Sequence, residues 1–175
     1  GDSLLIFLEY TNKTVYSYEF SPSNLHLVDL VIDDNRLKKK RFKIMYKAIG
    51  NETKNMETYF EMSPFAHLIE KVGGLPIEIT TVDADSKKLN MSVGFIKINI
   101  VGSELLALEG AVETIKRDRP VISCSMSYNF DGLFRIRHFI DKFDDYLVKY
   151  RFGSWYSGSF GELYIFAYPK ELEID

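Results

Sequence analysis

Between Phe95 and Gly110 an apolar strand pattern passes through a single glycine straight into a helical pattern. Ile96, Ile98 and Ile100 share one face of a period-two repeat, and Phe95, Lys97 and Asn99 share the other. Gly102 supplies a tight turn and Ser103 stands where a helix cap belongs. Leu105, Leu108, Val112 and Ile115 then recur at helical spacing, Lys116 and Arg117 occupy the last turn, and Pro120 stops the helix. Ile122, Cys124 and Met126 alternate with Ser123, Ser125 and Ser127 as a second strand. The segment reads as one β-α-β unit, right-handed by default.

Lys97 and Asn99 give this strand a second meaning. A strand wet on one face at a sheet edge accommodates them at no cost. A strand covered on both faces does not, because burying an amide without hydrogen bonds costs roughly 2–7 kcal/mol and a charge more. In a central strand, both residues belong to a site.

The chain of 175 residues is long enough for one domain with a substantial core, and we expect a single domain over residues 1–175. Its 46% hydrophobic and 27% charged residues exclude disordered and collagen-like classes. A net charge of −3 without a basic stripe gives no footprint for nucleic acid. The Lys38-Lys39-Lys40-Arg41 cluster reads as the solvated end of the preceding helix. The single cysteine, Cys124, excludes an internal disulfide framework and a multi-cysteine zinc site. His26, His67 and His138 are scattered without metal-ligand spacing, so no metal is expected. No apolar run approaches the roughly 18 residues of a membrane helix, and no membrane partner is expected. The chain opens at Gly1 without methionine and enters an apolar helix directly, which suggests an excised or truncated piece.

Elsewhere, Leu4 to Tyr10 reads as a buried helix and Thr14 to Glu19 as a strand rich in aromatic and β-branched residues. Pro22 suits the first turn of a helix carrying Leu25, Leu27, Val28 and Val31. Phe42 to Ala48 reads as a third strand, and Met56 to Met62 and Ile77 to Val82 as short strands around a loop at Ser63 to Pro76. Leu133 to Leu147 reads as a helix. Tyr150 to Trp155 and Glu162 to Tyr168 make a terminal hairpin around Ser157 to Gly161. Strands alternating with helices and closing on a hairpin predict an α/β fold, mostly parallel with one antiparallel C-terminal strand.

Taken in order, these pieces resemble the class I S-adenosylmethionine-dependent methyltransferases, and specifically the FkbM family. Gly1-Asp2-Ser3 before an apolar helix is similar to the end of that family's glycine-rich first loop. Tyr18-Glu19-Phe20-Ser21-Pro22-Ser23-Asn24 resembles its acidic residue at the tip of the second strand. Lys47-Ala48-Ile49-Gly50 resembles its alanine-glycine segment, and Thr80-Thr81-Val82-Asp83 its threonine-aspartate element. Phe95 to Glu104, with Leu108-Glu109-Gly110-Ala111, looks like its lysine-isoleucine-aspartate-valine-glutamate-glycine signature and the glycine-alanine that follows.

The resemblance implies a Rossmann-like sheet, S-adenosylmethionine as cofactor, and methyl transfer to a hydroxyl of a small molecule or glycan in the cytoplasm. It implies cofactor contacts at Gly1, Asp2, Ser3, Glu19, Ala48 and Asp83, and catalytic positions at Lys97 and Asn99. A carboxylate in the place of Glu19 accepts the ribose hydroxyls of a nucleoside, as the acidic residue of dinucleotide folds does. Asp2 can equally cap the first helix. Transfer from a sulfonium needs alignment of the acceptor and a base for its proton. The sequence departs from the family here: Asn99 replaces the aspartate, Val101 the usual glutamate, and Tyr128 a frequent histidine. The family's first strand, at the centre of its sheet, has no counterpart in this sequence. Those departures open a second reading, a catalytically degenerate relative kept as a binding module. A nicotinamide-dependent oxidoreductase shares the layer architecture but needs a Gly-x-Gly-x-x-Gly turn that this sequence lacks. Tyr128, Asn129 and Asp131 are candidates for an acceptor pocket, with loop residues as the plainer reading. Phe152, Trp155, Tyr156 and Phe160 read as core and edge cover.

Overall fold

The computed structural model describes residues 2–35, 41–58, 73–126, 130–152 and 163–173. The chain divides into two compact units, Gly1–Ala48 with Lys54–Ile79 and Ile49–Thr53 with Thr80–Asp175.

In the first unit, helix α1 (Asp2–Tyr10) leads to strand β1 (Val15–Tyr18), helix α2 (Pro22–Asp34) and strand β2 (Phe42–Met45). β1 and β2 pair in parallel, with Val15 opposite Phe42 and Tyr18 opposite Met45. α2 starts where Pro22 places it: Ser21 is extended at the N-cap, and proline takes a first-turn position whose N–H has no helical partner anyway. α1 is less buried than expected, covered at Leu4 but open at Ile6 and Tyr10. Arg41 donates to the carbonyl oxygens of Leu8 and Thr11, satisfying acceptors that the end of α1 leaves over. Arg41 is exposed, as predicted, but it lies beyond the end of α2 and has a structural partner in the end of α1. Lys38, Lys39 and Lys40 lie outside the described residues.

The third predicted strand is two. β2 stops at Met45, and a short β3 (Ala48–Ile49) follows. β3 belongs to a three-stranded sheet of order β3-β5-β4 with β4 (Lys54–Thr58) and β5 (Leu75–Thr80). β4 and β5 are antiparallel, Met56 opposite Ile77. Ala48, Met56, Ile77 and Ile79 form a small apolar cluster against Phe20. Most of the loop predicted between these strands lies outside the described residues.

The second unit is a four-stranded sheet of order β6-β7-β9-β8, made of β6 (Phe95–Ile98), β7 (Val121–Ser125), β8 (Tyr146–Phe152) and β9 (Leu163–Pro169). β6 and β7 are parallel, Ile96 opposite Ile122, whereas β9 is antiparallel to both neighbours. The hairpin strand β9 therefore sits inside the sheet, and the pairing is mixed rather than mostly parallel. A helix α3 (Val82–Lys88), of which only Val82 falls in a predicted strand and the rest in no predicted element, precedes β6. Thr81 caps it by accepting the Ala84 amide at 3.0 Å.

Between β6 and β7 the single predicted helix is two, α4 (Glu104–Glu109) and α5 (Val112–Asp118). The break falls at Gly110, so close to the Gly50 backbone that a Cβ would strike the Gly50 carbonyl. Helix α6 (Phe130–Ile140) ends earlier than the predicted Leu147; a turn follows, with Asp145 at φ 61, and Tyr146 begins β8. One face of the sheet, with Ile98, Ile122, Cys124, Ile165 and Ala167, packs in a single buried cluster with Leu108, Ile115, Ile136 and Ile140. Burying each large aliphatic side chain contributes roughly 1.5–3 kcal/mol, which makes this cluster the main source of the unit's stability. Among the described residues, no helix is long and apolar enough to cross a membrane.

Candidate functional site

Glu19 follows β1 at the carboxyl end of a parallel pair, and its own amide extends the ladder to the Met45 carbonyl at 3.1 Å. Its carboxylate is fixed from one side. Oε1 accepts the amides of Phe20 at 2.8 Å and Ser21 at 2.9 Å, and Oε2 accepts the Asn24 side-chain amide at 3.1 Å. Pro22 makes this possible by starting α2 at once, which turns the Phe20 and Ser21 amides back toward the glutamate. A carboxylate oxygen has two lone-pair sites, so Oε2 with one donor is an oriented acceptor.

The other positions assigned to the cofactor in this unit differ in character. Ala48 is buried in the cluster with Met56, Ile77 and Ile79. Ser3 is half-buried in the first turn of α1. Gly1 lies outside the described residues, and so does the Asp2 side chain.

In the second unit, Lys97 and Asn99 lie exposed at the carboxyl end of β6, while Ile96 and Ile98 point into the core. β6 is an edge strand of its four-stranded sheet. Their exposure is thus what an edge strand gives, and it leaves both side chains accessible to a ligand. Lys97 stands opposite Ser123, which is buried.

The turn that follows is strained. Val101 has φ 47 and Gly102 φ 92. Left-handed backbone costs an L-residue about 1–2 kcal/mol, and a β-branched residue tolerates it poorly. Ser103 makes no side-chain cap bond; Glu104 binds the turn instead, accepting the Gly102 amide at 2.8 Å and the Ile100 amide at 3.3 Å. Glu104 escaped the sequence reading, although an acid just after a glycine turn and at the start of a helix is its visible signal.

Asp83 has both oxygens engaged by a helix. Oδ1 accepts the Thr114 amide at 2.7 Å and Oδ2 the Glu113 amide at 3.0 Å, while its own amide donates to Gly110 at 2.9 Å. It caps α5, whose N-cap residue Ala111 has no side chain able to do so. Around it, Thr80 donates to Asp85 at 3.2 Å and Ser86 exchanges a hydrogen bond with Thr114 at 2.8 Å, all four residues being buried. The threonine-aspartate element therefore locks α3 to α5.

An open cleft of about 410 Å³ lies between α6 and β8, lined by Phe134, Arg137, His138, Tyr150, Phe152 and others. β8 runs in the direction of β6 and β7, because β9 opposes both β7 and β8. Phe152 is therefore at the same end of the sheet as Asn99. Arg137 is held by Asp141, with Nε at 2.8 and 3.0 Å from the two carboxylate oxygens. Tyr128 and Asn129 lie outside the described residues, as do the Asp131 side chain, Trp155, Tyr156 and Phe160. Among the described residues, no group of three His, Cys, Asp or Glu is placed to hold a metal ion.

No protein-family profile and no curated protein matches the sequence. The chain is similar to the crystal structure of Methyltransferase FkbM from Methylobacillus flagellatus KT, with a TM-score of 0.71 and 20% identity. The match covers 96% of this chain and 40% of that one. The fold is that of a methyltransferase, and the chain spans about two fifths of the length of the protein it matches.

Proposed function

We propose that this chain binds S-adenosylmethionine and serves methyl transfer of the FkbM type to a hydroxyl of a sugar or small natural product. The observation that carries the reading is the Glu19 carboxylate, fixed by two backbone amides and Asn24 at the end of a parallel strand. Two adjacent ribose hydroxyls need an acceptor of set direction at that place in the fold. The fold likeness supports the same reading.

When bound, S-adenosylmethionine supplies a methyl group on a sulfonium, a leaving group that needs no acid. The chain's own work is binding and alignment. Glu19 accepts the ribose hydroxyls. Gly1, Asp2 and Ser3 are assigned to the cofactor, Asp2 and Ser3 in the first turn of α1; Ala48, also assigned to it, is buried among Met56, Ile77 and Ile79 and offers little surface. Lys97 and Asn99, exposed at the end of β6, are the catalytic positions that the resemblance assigns to the acceptor. The Asn99 amide orients a hydroxyl by hydrogen bonding but cannot take its proton, so a base other than Asn99 is required. Asp83 serves the site at one remove by holding α5. The cleft of Phe134, Tyr150 and Phe152 offers an apolar surface for the rest of the acceptor.

Titration calorimetry of S-adenosylmethionine and S-adenosylhomocysteine tests the reading. Micromolar binding that Glu19→Ala abolishes supports it, and absence of binding by the unaltered chain overturns it. Asn99, neutral where an acid would be useful, favours a second reading as a binding module without catalysis. Asn99→Asp combined with Val101→Glu separates the two: methyl transfer gained on restoration marks a decayed enzyme, and cofactor binding without transfer in either form marks the module.

A further inference from the structure

The turn after β6 is bound by a buried carboxylate that has no part in the proposed function above. Glu104 is 5% exposed, and among the described residues no cation pairs with it. Its two oxygens accept the Ile100 and Gly102 amides, so the bonds fall on either side of Val101, the residue in left-handed conformation. A Cβ built on Gly102 meets open space, so it is the positive φ of 92 and no close neighbour that favours glycine there.

We propose that Glu104 is a positioning residue. It grips the amides flanking Val101, holds the strained turn, and thereby fixes the direction in which Asn99 leaves the end of β6. The clamp stands on geometry alone. Its service to methyl transfer rests on the reading of Asn99 given above. The carboxylate is suited to the task because both of its oxygens accept. A glutamine in its place has one acceptor oxygen and would turn an NH2 group toward an amide N–H.

The test compares the unaltered chain with Glu104→Gln and Glu104→Asp, reading amide hydrogen exchange residue by residue and affinity for S-adenosylhomocysteine by calorimetry. In Glu104→Gln, exchange at Ile100 and Gly102 is expected to rise by about tenfold or more, while Ile122 and Cys124 on β7 keep their protection. The same variant binds S-adenosylhomocysteine several-fold more weakly. Glu104→Asp retains two acceptor oxygens and recovers part of the protection, and it carries the test should Glu104→Gln fail to fold. Unchanged exchange at Ile100 and Gly102, or an equal rise at β7, overturns the clamp. So does a Glu104→Asp variant no better protected than Glu104→Gln. If the unaltered chain binds no S-adenosylhomocysteine, the cofactor reading falls and the exchange pattern alone decides on the clamp.

Discussion

The Asp83 carboxylate accepts the Thr114 amide at 2.7 Å, so a side chain in α3 caps the N-terminus of α5. The sequence resemblance gave Asp83 a place beside the cofactor. The structure shows its two oxygens already engaged, by Thr114 and Glu113. The aspartate also sits near the positive end of the helix dipole, where a negative charge is favoured.

Asp83→Ala should therefore lower stability by about 1–2 kcal/mol, the usual loss for a helix cap. Urea unfolding measures it. A variant that keeps its full stability and loses only affinity for S-adenosylhomocysteine would return Asp83 to the cofactor's surroundings.

Gly110 and Gly50 make a second contact on which this unit depends. Gly110→Ala puts a methyl group against the Gly50 carbonyl and should cost roughly 1–3 kcal/mol, as overpacking does. Gly94→Ala is the control, since nothing lies within 4 Å of its added methyl group. Thermal melts of the two variants side by side decide it: equal midpoints would mean that the backbone at Gly110 moves aside freely.

What the sequence made legible was local. Ile96, Ile98 and Ile100 before Gly102, then Leu105, Leu108, Val112 and Ile115, carry both periodicities of a β-α-β unit, and β6 and β7 are indeed parallel neighbours. Pro22 announced the start of α2 in the same way. The interruption of that crossover helix was not legible, because the groups that meet the chain there, Gly50 against Gly110 and Asp83 on the start of α5, come from distant parts of the chain. Helix α3 was missed because Val82 to Lys88 has no apolar stripe, only the Thr81 cap and its charge order. The helix predicted up to Leu147 ends at Ile140, and past the left-handed turn at Asp145 the residues Tyr146 and Val148 belong to a strand. At the site, the acidity of Glu19 was legible. Its fixing by Phe20, Ser21 and Asn24, and the trans cap at Asp83, depend on three-dimensional neighbours.

Arg119 and Glu171 give the second unit a defined acid response. Their side chains meet in two bonds of 2.7 and 2.8 Å. The hydrogen bond from Arg119 is the main cause that holds the Glu171 carboxyl down to about 2, from 4.5. A carboxyl whose folded value lies below its unfolded value favours folding when ionised. Its contribution is present above about pH 4.5 and disappears as the pH falls toward 2. The contribution is small, because both groups face solvent. Melting Glu171→Gln beside the unaltered chain should show a deficit near neutral pH that closes across this interval. A deficit independent of pH would assign the effect to packing rather than charge.

Cys124 is fully buried in the sheet, opposite Ile98 on β6 and Ile165 on β9. Burial, with a smaller contribution from the charge of Glu104, raises its thiol far above the ordinary cysteine range. The nucleophilic thiolate is therefore absent at neutral and mildly alkaline pH, and reagents reach the sulfur only when the sheet opens. With each 1.4 kcal/mol of opening free energy slowing reaction about tenfold, labelling by a chromogenic disulfide should be over a hundredfold slower in the native protein than in denaturant. Its rate should climb with urea in step with loss of the sheet's circular dichroism. Rapid labelling of the native protein would show that β6 or β9 detaches from β7 in ordinary fluctuations, and would locate the weak seam of this unit beside the turn that Glu104 holds.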